Sequence, residues 1–244
     1  MPTTDDLLNA ISAALRDGTV IDPEPHLGLP LADAFSIQTA LFRQFDQPLL
    51  GSKLASKGAV AHSAPLLFVK EGGQYPHQSG LAIEVELALV LGKDLRLQDP
   101  AIERGDIVDA ISSVRLGVEL LRSRYKGGSR GDPGLAVADL MSNIGYLLGP
   151  ELDRGLIADG VSPGRLTVAL DGRTLYDDQA RHADSDPLKA LLTLCHQAPL
   201  TPLVKLEAGQ VITTGTLCGL LTIDHPGQVA ISLAGQTFQL DLHG

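Results

Sequence analysis

Aromatic side chains are scarce in this chain: they make up 4% of its 244 residues, and Trp is absent. A core built from it must be aliphatic. Basic residues are also few, 19 Lys and Arg against 29 Asp and Glu, for a formal net charge of −10. That balance argues against a nucleic-acid surface. The two cysteines, Cys195 and Cys218, are too few for a disulfide framework and lack a metal-type spacing. A reducing cytoplasm is the expected compartment. Met1-Pro2-Thr3-Thr4-Asp5-Asp6 shows neither the basic nor the apolar region of a secretory signal. No apolar run approaches the ~20 residues needed to span a bilayer, so no membrane partner is expected. Dinucleotide and phosphate-loop glycine patterns, a Gly-x-Ser-x-Gly elbow, a His pair at i, i+4 and internal repeats are missing too. Nucleotide, serine-hydrolase and zinc-hydrolase chemistries therefore find no support.

What is present is a strand-rich pattern behind two helices. The spacing predicts a helix over 4–17, capped by Thr4 and ended by Gly18, and a second from Pro30 to before Pro48, with Gln38 breaking its apolar face. Residues 1–48 are read as a helical N-terminal region and 49–244 as the main domain. Leu49–Ala55 reads as a strand with one lysine, and 56–80 as loop. A helix is expected from Pro100 through Val114, then a strand over 115–121. The Gly-rich stretch 125–134 is a candidate lid or anion-contacting loop. Further expectations are helix then strand over 135–149, a hairpin turning at Asp171-Gly172, a helix from Pro187 to Cys195, a β segment over 211–223 and a closing hairpin over 229–242.

The most informative stretch is Leu81–Gly92. Read as a strand, it places Ile83, Val85, Leu87 and Leu89 on one face and Glu84, Glu86, Ala88 and Val90 on the other. Two carboxylates among apolar neighbours admit two readings: an edge strand with solvated glutamates, or a buried pair that needs a cation. Glu119, alone in the strand over 115–121, could complete an all-oxygen set with Glu84 and Glu86, suited to Mg²⁺ or Mn²⁺ rather than Zn²⁺. Such an ion can chelate a 2-oxo acid and stabilise a developing enolate. Lys53 is either an ordinary strand-end lysine or a group that binds the substrate carboxylate or moves a proton, the latter if burial and a nearby ion lower its pKa. His62 and His77 are surface histidines or reach the site. Thr213-Thr214-Gly215-Thr216 is a Gly-kinked strand or an anion-contacting segment.

Several of these segments, in this order, resemble the fumarylacetoacetate hydrolase superfamily, within it the 2-keto-4-pentenoate (2-hydroxypentadienoate) hydratase and 4-oxalocrotonate decarboxylase group. Gly51-Ser52-Lys53-Leu54 is similar to its G-x-K strand. Ile83 to Gly92 is similar to its Glu-x-Glu strand, and Val118-Glu119-Leu120-Leu121-Arg122-Ser123-Arg124 to its strand ending Asp-Ser-Arg. Ala208 to Thr216 resembles its C-terminal segment. The resemblance implies an α+β, β-rich fold, a mixed β-sandwich or roll with a short helical N-terminal region. It implies Glu84, Glu86 and Glu119 as ligands of Mg²⁺ or Mn²⁺, Lys53 as a catalytic residue, and Ser142, Asn143, Thr214, Gly215 and Thr216 as substrate contacts. The implied function is a hydratase-like lyase on a 2-oxo or 2-hydroxydienoic acid. After it come a 2-oxo-enedioate decarboxylase, an acylpyruvate-type C–C hydrolase and a catalytically silent partner subunit. A homo-oligomer, and association with a partner pathway enzyme of aromatic catabolism, are further expectations. The chain departs from the group's pattern in three places. Val69 and Lys70 lie where acidic residues are usual. Arg122 replaces the Asp of Asp-Ser-Arg. Leu140–Gly145 stands where the group has Asp-Asn-x-Ser-x-Gly.

Overall fold

The computed structural model describes residues 3–197 and 203–244. Thr3 starts the first helix, α1 (Thr4–Asp17). Its hydroxyl accepts from Asp6 N at 3.1 Å, and the Asp6 carboxylate accepts from Thr3 N at 2.8 Å. The cap is thus Thr3 rather than Thr4, because only Thr3 has an acid three residues on to close a capping box. Gly18 ends the helix in the left-handed region, with φ 78°. α2 (Leu31–Arg43) follows Pro30. Leu7, Ile11, Phe35, Ile37 and Leu41 pack with Tyr125 and with Leu135 and Val137 of a later helix. Gln38 is buried among them because its amide donates to Ser63 O (3.1 Å) and Val137 O (3.0 Å).

From Gly51 the described chain is mostly strand. In order come β1 (Gly51–Lys57), β2 (Val60–Pro65), β3 (Val69–Glu71), β4 (Gln74–Pro76), β5 (Ala82–Leu91), β6 (Leu95–Arg96), β7 (Ile111–Leu121) and β8 (Asn143–Leu152). Then follow β9 (Arg165–Leu170), β10 (Arg173–Gln179), β11 (Lys205–Leu206), β12 (Val211–Thr213), β13 (Leu221–Thr222), β14 (Gly227–Leu233) and β15 (Gln236–His243). α3 (Arg104–Ala110), α4 (Pro133–Ala138) and α5 (Lys189–His196) are inserted between them. The largest sheet runs β2-β1-β12-β5-β7-β8-β3, with β13 also paired to β5; a second runs β10-β9-β14-β15-β4. Pairs β1–β12 and β3–β8 are parallel and the rest of the first sheet is antiparallel. The architecture is the expected α+β, strand-rich mixed roll.

β5 lies inside the large sheet and is covered on both faces. Ile83, Val85, Leu87 and Leu89 join the main core between the sheets. Ala88 and Val90 join a smaller cluster with Leu66, Tyr146 and Leu148. Double coverage explains why the strand reads as nearly continuous hydrophobic residues rather than as a clean alternation. No described helix is long and apolar enough to cross a membrane.

Several boundaries differ from the sequence reading. Residues 56–80 contain three short strands: β2 folds back on β1 as a hairpin, while β3 and β4 pair with β8 and β15 far along the chain and leave no local signature. α3 starts after Glu103, which forms a capping box with Asp106, and not at Pro100. Ile111 and Val114 open β7 and are not helical, since cross-strand pairing with Leu91 and Leu89 outweighs their apparent helical spacing. α5 begins at Lys189. The expected strand over 211–223 is broken at Thr214, with Gly215 at φ 144°. At the predicted hairpin turn Asp171 and Gly172 both have positive φ, 47° and 82°, as a type I′ turn requires.

Candidate functional site

Strand register builds the site. Antiparallel β5 and β7 set Glu84 opposite Glu119, and Glu86 opposite Gly117. β8 sets Tyr146 opposite Glu119 on the other side of β7. β1, next to β12, sets Lys53 opposite Thr213. Glu84, Glu86 and Glu119 converge, each offering a carboxylate oxygen within 4.8 Å of the others. Glu86 and Glu119 are buried, and Glu84 is partly buried. Lys53 Nζ lies 2.7 Å from Glu119 Oε1 and donates to Met141 O at 3.1 Å. Asn143 Nδ2 donates to the same Glu119 oxygen at 2.9 Å, while its own carbonyl accepts from Leu67 N at 2.7 Å. Thr213 Oγ1 donates to Glu86 Oε2. Glu119 Oε2 is buried without a hydrogen-bond partner.

Three carboxylates around one ammonium leave excess negative charge. Burial, reinforced by Glu119 and Glu84, pushes Glu86 well above the usual carboxylate range. Burial raises Glu84 to about 6 against the pull of Lys53. For Lys53, burial favours the neutral amine, but Glu119, Glu84 and Glu86 together outweigh it and its pKa is raised. Without an ion, its carboxylate neighbours hold the proton on. An orphaned buried oxygen, two strained carboxylates and an all-oxygen donor set fit a hard divalent cation. Glu84, Glu86 and Glu119 are the residues that could hold it.

Glu84, Glu86 and Lys53 line a cavity of about 650 Å³, and Glu119 is buried behind them. Ser142, Thr214, Gly215 and Thr216 also line the cavity, as do Gly128 and Ser129 of the Gly-rich stretch. Asn143 does not line it; it is fully buried behind Glu119 and acts as a support. His62 and His77 are also outside the lining, and the His77 ring meets Ile223 O at 3.2 Å.

Three residues of the site escape a reading of the sequence. Asp184 lines the cavity and accepts from Ser56 Oγ at 2.5 Å; its Asp-Ser-Asp-Pro context signals only a helix start. Arg122 lines it as well, and its place in the departing motif was the available signal. Tyr146 is fully buried, and the charge of Glu86 adds to burial in raising its pKa. Its hydroxyl occupies the space left by Gly117, where a Cβ would overlap it. No pattern along the chain predicts that match, because it depends on pairing between β7 and β8.

The fold and its acidic residues define a class: a fumarylacetoacetate hydrolase-like roll with a carboxylate cluster open to a cavity. Among solved structures the chain is similar to a 4-oxalocrotonate decarboxylase from Pseudomonas putida G7 complexed with magnesium and adipate. The TM-score is 0.80 and the identity 18%, over 99% of both chains. It is similar also to a 2-hydroxyhepta-2,4-diene-1,7-dioate isomerase from Mycobacterium marinum, with TM-score 0.53 and 18% identity over 80% of this chain and 76% of that one. A fumarylacetoacetate hydrolase from the psychrophilic Exiguobacterium antarcticum gives TM-score 0.56 and 13% identity over 81% and 76%. These likenesses establish the fold. No protein-family model matches the chain, and no curated protein matches it.

Proposed function

We propose that the chain is a divalent-metal-dependent lyase of the fumarylacetoacetate hydrolase superfamily, acting on a 2-oxo or 2-hydroxydienoic acid. The observation that carries this reading is the convergence of Glu84, Glu86 and Glu119, the first two lining a cavity, with Lys53 beside them. Mg²⁺ or Mn²⁺ held by the three glutamates would supply Lewis-acid polarisation of the substrate's 2-oxo group. The protein's own residues do the rest. Lys53, beside the cluster and lining the cavity, presents N–H donors to the substrate carboxylate. Thr213 and Asn143 orient Glu86 and Glu119. Thr214, Gly215 and Thr216 form one wall against the bound acid, Ser142 another. Asp184, which lines the cavity and accepts from Ser56, is the carboxylate we assign to take a proton from water in a hydratase-like reaction.

Decarboxylation of a 2-oxo-enedioate is the second reading. The full-length similarity to a 4-oxalocrotonate decarboxylase favours it. Both reactions require the same electron sink. Incubation with Mg²⁺ and 2-hydroxypentadienoate, followed by loss of the dienol absorbance, tests hydration. Evolution of CO₂ from 4-oxalocrotonate tests the second. Failure of both substrates with metal bound would remove the lyase assignment.

A further inference from the structure

His182 borders the cavity wall without lining the cavity itself. Asp184, Thr214, Gly215 and Thr216 line the main cavity, whereas His182 lines a separate, smaller one of about 260 Å³ with Arg181, Ser162 and Ser185. The two wall segments meet at this histidine. Ala183 N donates to Thr216 O and Arg181 N to Leu217 O, both at 3.0 Å, so the chain around His182 runs beside the 214–217 segment. A Cβ on Gly215 would come within 3.3 Å of the imidazole, so the ring packs directly on that glycine.

Its hydrogen bonds leave one protonation state. Buried Thr214 donates its hydroxyl proton to Pro187 O at 2.5 Å. A carbonyl only accepts, so the 3.2 Å contact between Thr214 Oγ1 and His182 Nε2 requires a hydrogen on Nε2. Asp184 N donates to Nδ1 at 3.2 Å, so Nδ1 must be bare. Only the neutral imidazole protonated on Nε2 meets both demands. A proton on Nδ1 would set two donors against each other at Asp184. The charges around the ring are Arg181, Asp184 and Asp186 on its own segment, Lys189 of α5 at 3.5 Å from Asp184, and Arg104 of α3 at 2.7 Å from Asp186. β5 and the 156–163 stretch present Leu87, Leu156, Ser162 and Pro163, none of them charged. Both acids are thus paired, and burial favours the neutral ring.

We propose that His182 is a positioning residue for the cavity wall, and that its protonation releases Asp184. As the neutral Nε2–H tautomer it ties the backbone at Asp184 to Thr214 and Gly215. Protonation breaks the Asp184 tie and frees that carboxylate to move. The consequence for catalysis rests on the reading of this cavity as the substrate site with Asp184 as its proton acceptor; the tie itself does not.

NMR of the ring nitrogens in isotope-labelled, Mg²⁺-loaded protein tests the tautomer, with the His182 signals identified by their loss in His182→Asn. Nδ1 should be bare and Nε2 protonated at pH 7.5, and the ring should titrate below 6.5. The backbone amide signals of Asp184 and Thr216 should shift with that same midpoint. They should not shift there in His182→Asn, whose side-chain carbonyl accepts from a backbone N–H two residues on and does not titrate. Hydration of 2-hydroxypentadienoate at saturating Mg²⁺ gives the second readout. In the wild type kcat should fall through the His182 midpoint as pH decreases; in His182→Asn it should hold level there. His182→Ala, with no acceptor for Asp184 N, should lower kcat at every pH, by up to about 100-fold for a displacement of about 1 Å. A proton on Nδ1 at pH 7.5, wall amides that ignore the ring's titration, or an Asn variant whose kcat falls at the wild-type midpoint would each overturn the inference. The expected shifts without any turnover would overturn the substrate-site reading and uphold the tie.

Discussion

Asn143 is the residue on which the geometry of Glu119 depends. One amide hydrogen reaches Glu119 Oε1, the other donates to Gly145 O at 3.2 Å, and its carbonyl is taken by Leu67 N. Every polar group is used, so no isostere replaces it. Asn143→Ala should weaken Mg²⁺ binding about 10- to 100-fold, the usual effect of losing a support behind a metal ligand, read by calorimetry. His182 makes a prediction about pH. Burial lowers its pKa from 6.5, against the opposing pull of Asp184 and Asp186, and its ring meets Thr214 Oγ1 at 3.2 Å. A histidine whose folded pKa is depressed stays neutral in the native state, while the unfolded chain takes up a proton below pH 6.5. Its stability contribution is thus present above the unfolded pKa and is lost as pH falls through the folded one. Urea midpoints measured between pH 7.5 and 5 should decline more steeply for the wild type than for His182→Gln.

At the scale of elements, a buried ion pair ties α4 to the end of β7. Arg124 Nε donates to Asp139, the C-cap of α4, and Arg124 Nη1 donates to Arg122 O (2.9 Å) and Asn143 O (3.0 Å). Both side chains are almost wholly buried. Burial raises the Asp139 pKa, and Arg124 is the principal opposing influence. Breaking such a pair strands a charge, at about 3–5 kcal/mol. Asp139→Asn and Arg124→Met should each lose stability on that scale in urea denaturation. The double variant should lose less than the sum, because neither charge is then left alone. Arg122 and Asn143 lie in this same junction, so the single variants should also weaken Mg²⁺ binding.

For the molecule as a whole, the glutamate cluster sets stability against function. Without a cation, three carboxylates and one lysine hold unbalanced charge in a buried place. Mg²⁺ at 100 times its Kd should add about 2.7 kcal/mol, which raises Tm by roughly 5–10 °C for a chain of this size. Thermal unfolding with EDTA and with Mg²⁺ measures it. Glu86→Gln should abolish the Mg²⁺-dependent rise. In EDTA it should melt at or above the wild-type temperature, since a repulsive charge has been removed. An EDTA melting point several degrees below wild type would mean that Glu86 is held by structural contacts rather than poised for a cation.

The sequence by itself determined which acidic side chains share a face of β5, because alternation along a strand is a local property that Glu84, Glu86, Ala88 and Val90 display unaided. It also determined the end of α1 at Gly18 and the Asp171-Gly172 turn, where cap and turn preferences act over a few residues. Only the tertiary structure decided that Glu119 faces Glu84, that Asn143 sits behind it, that Tyr146 fills the space over Gly117, and that Arg122 lines the cavity. Each of these depends on which strands pair and in what register. Register is settled by packing between residues far apart in the chain, so it leaves no periodic trace along it.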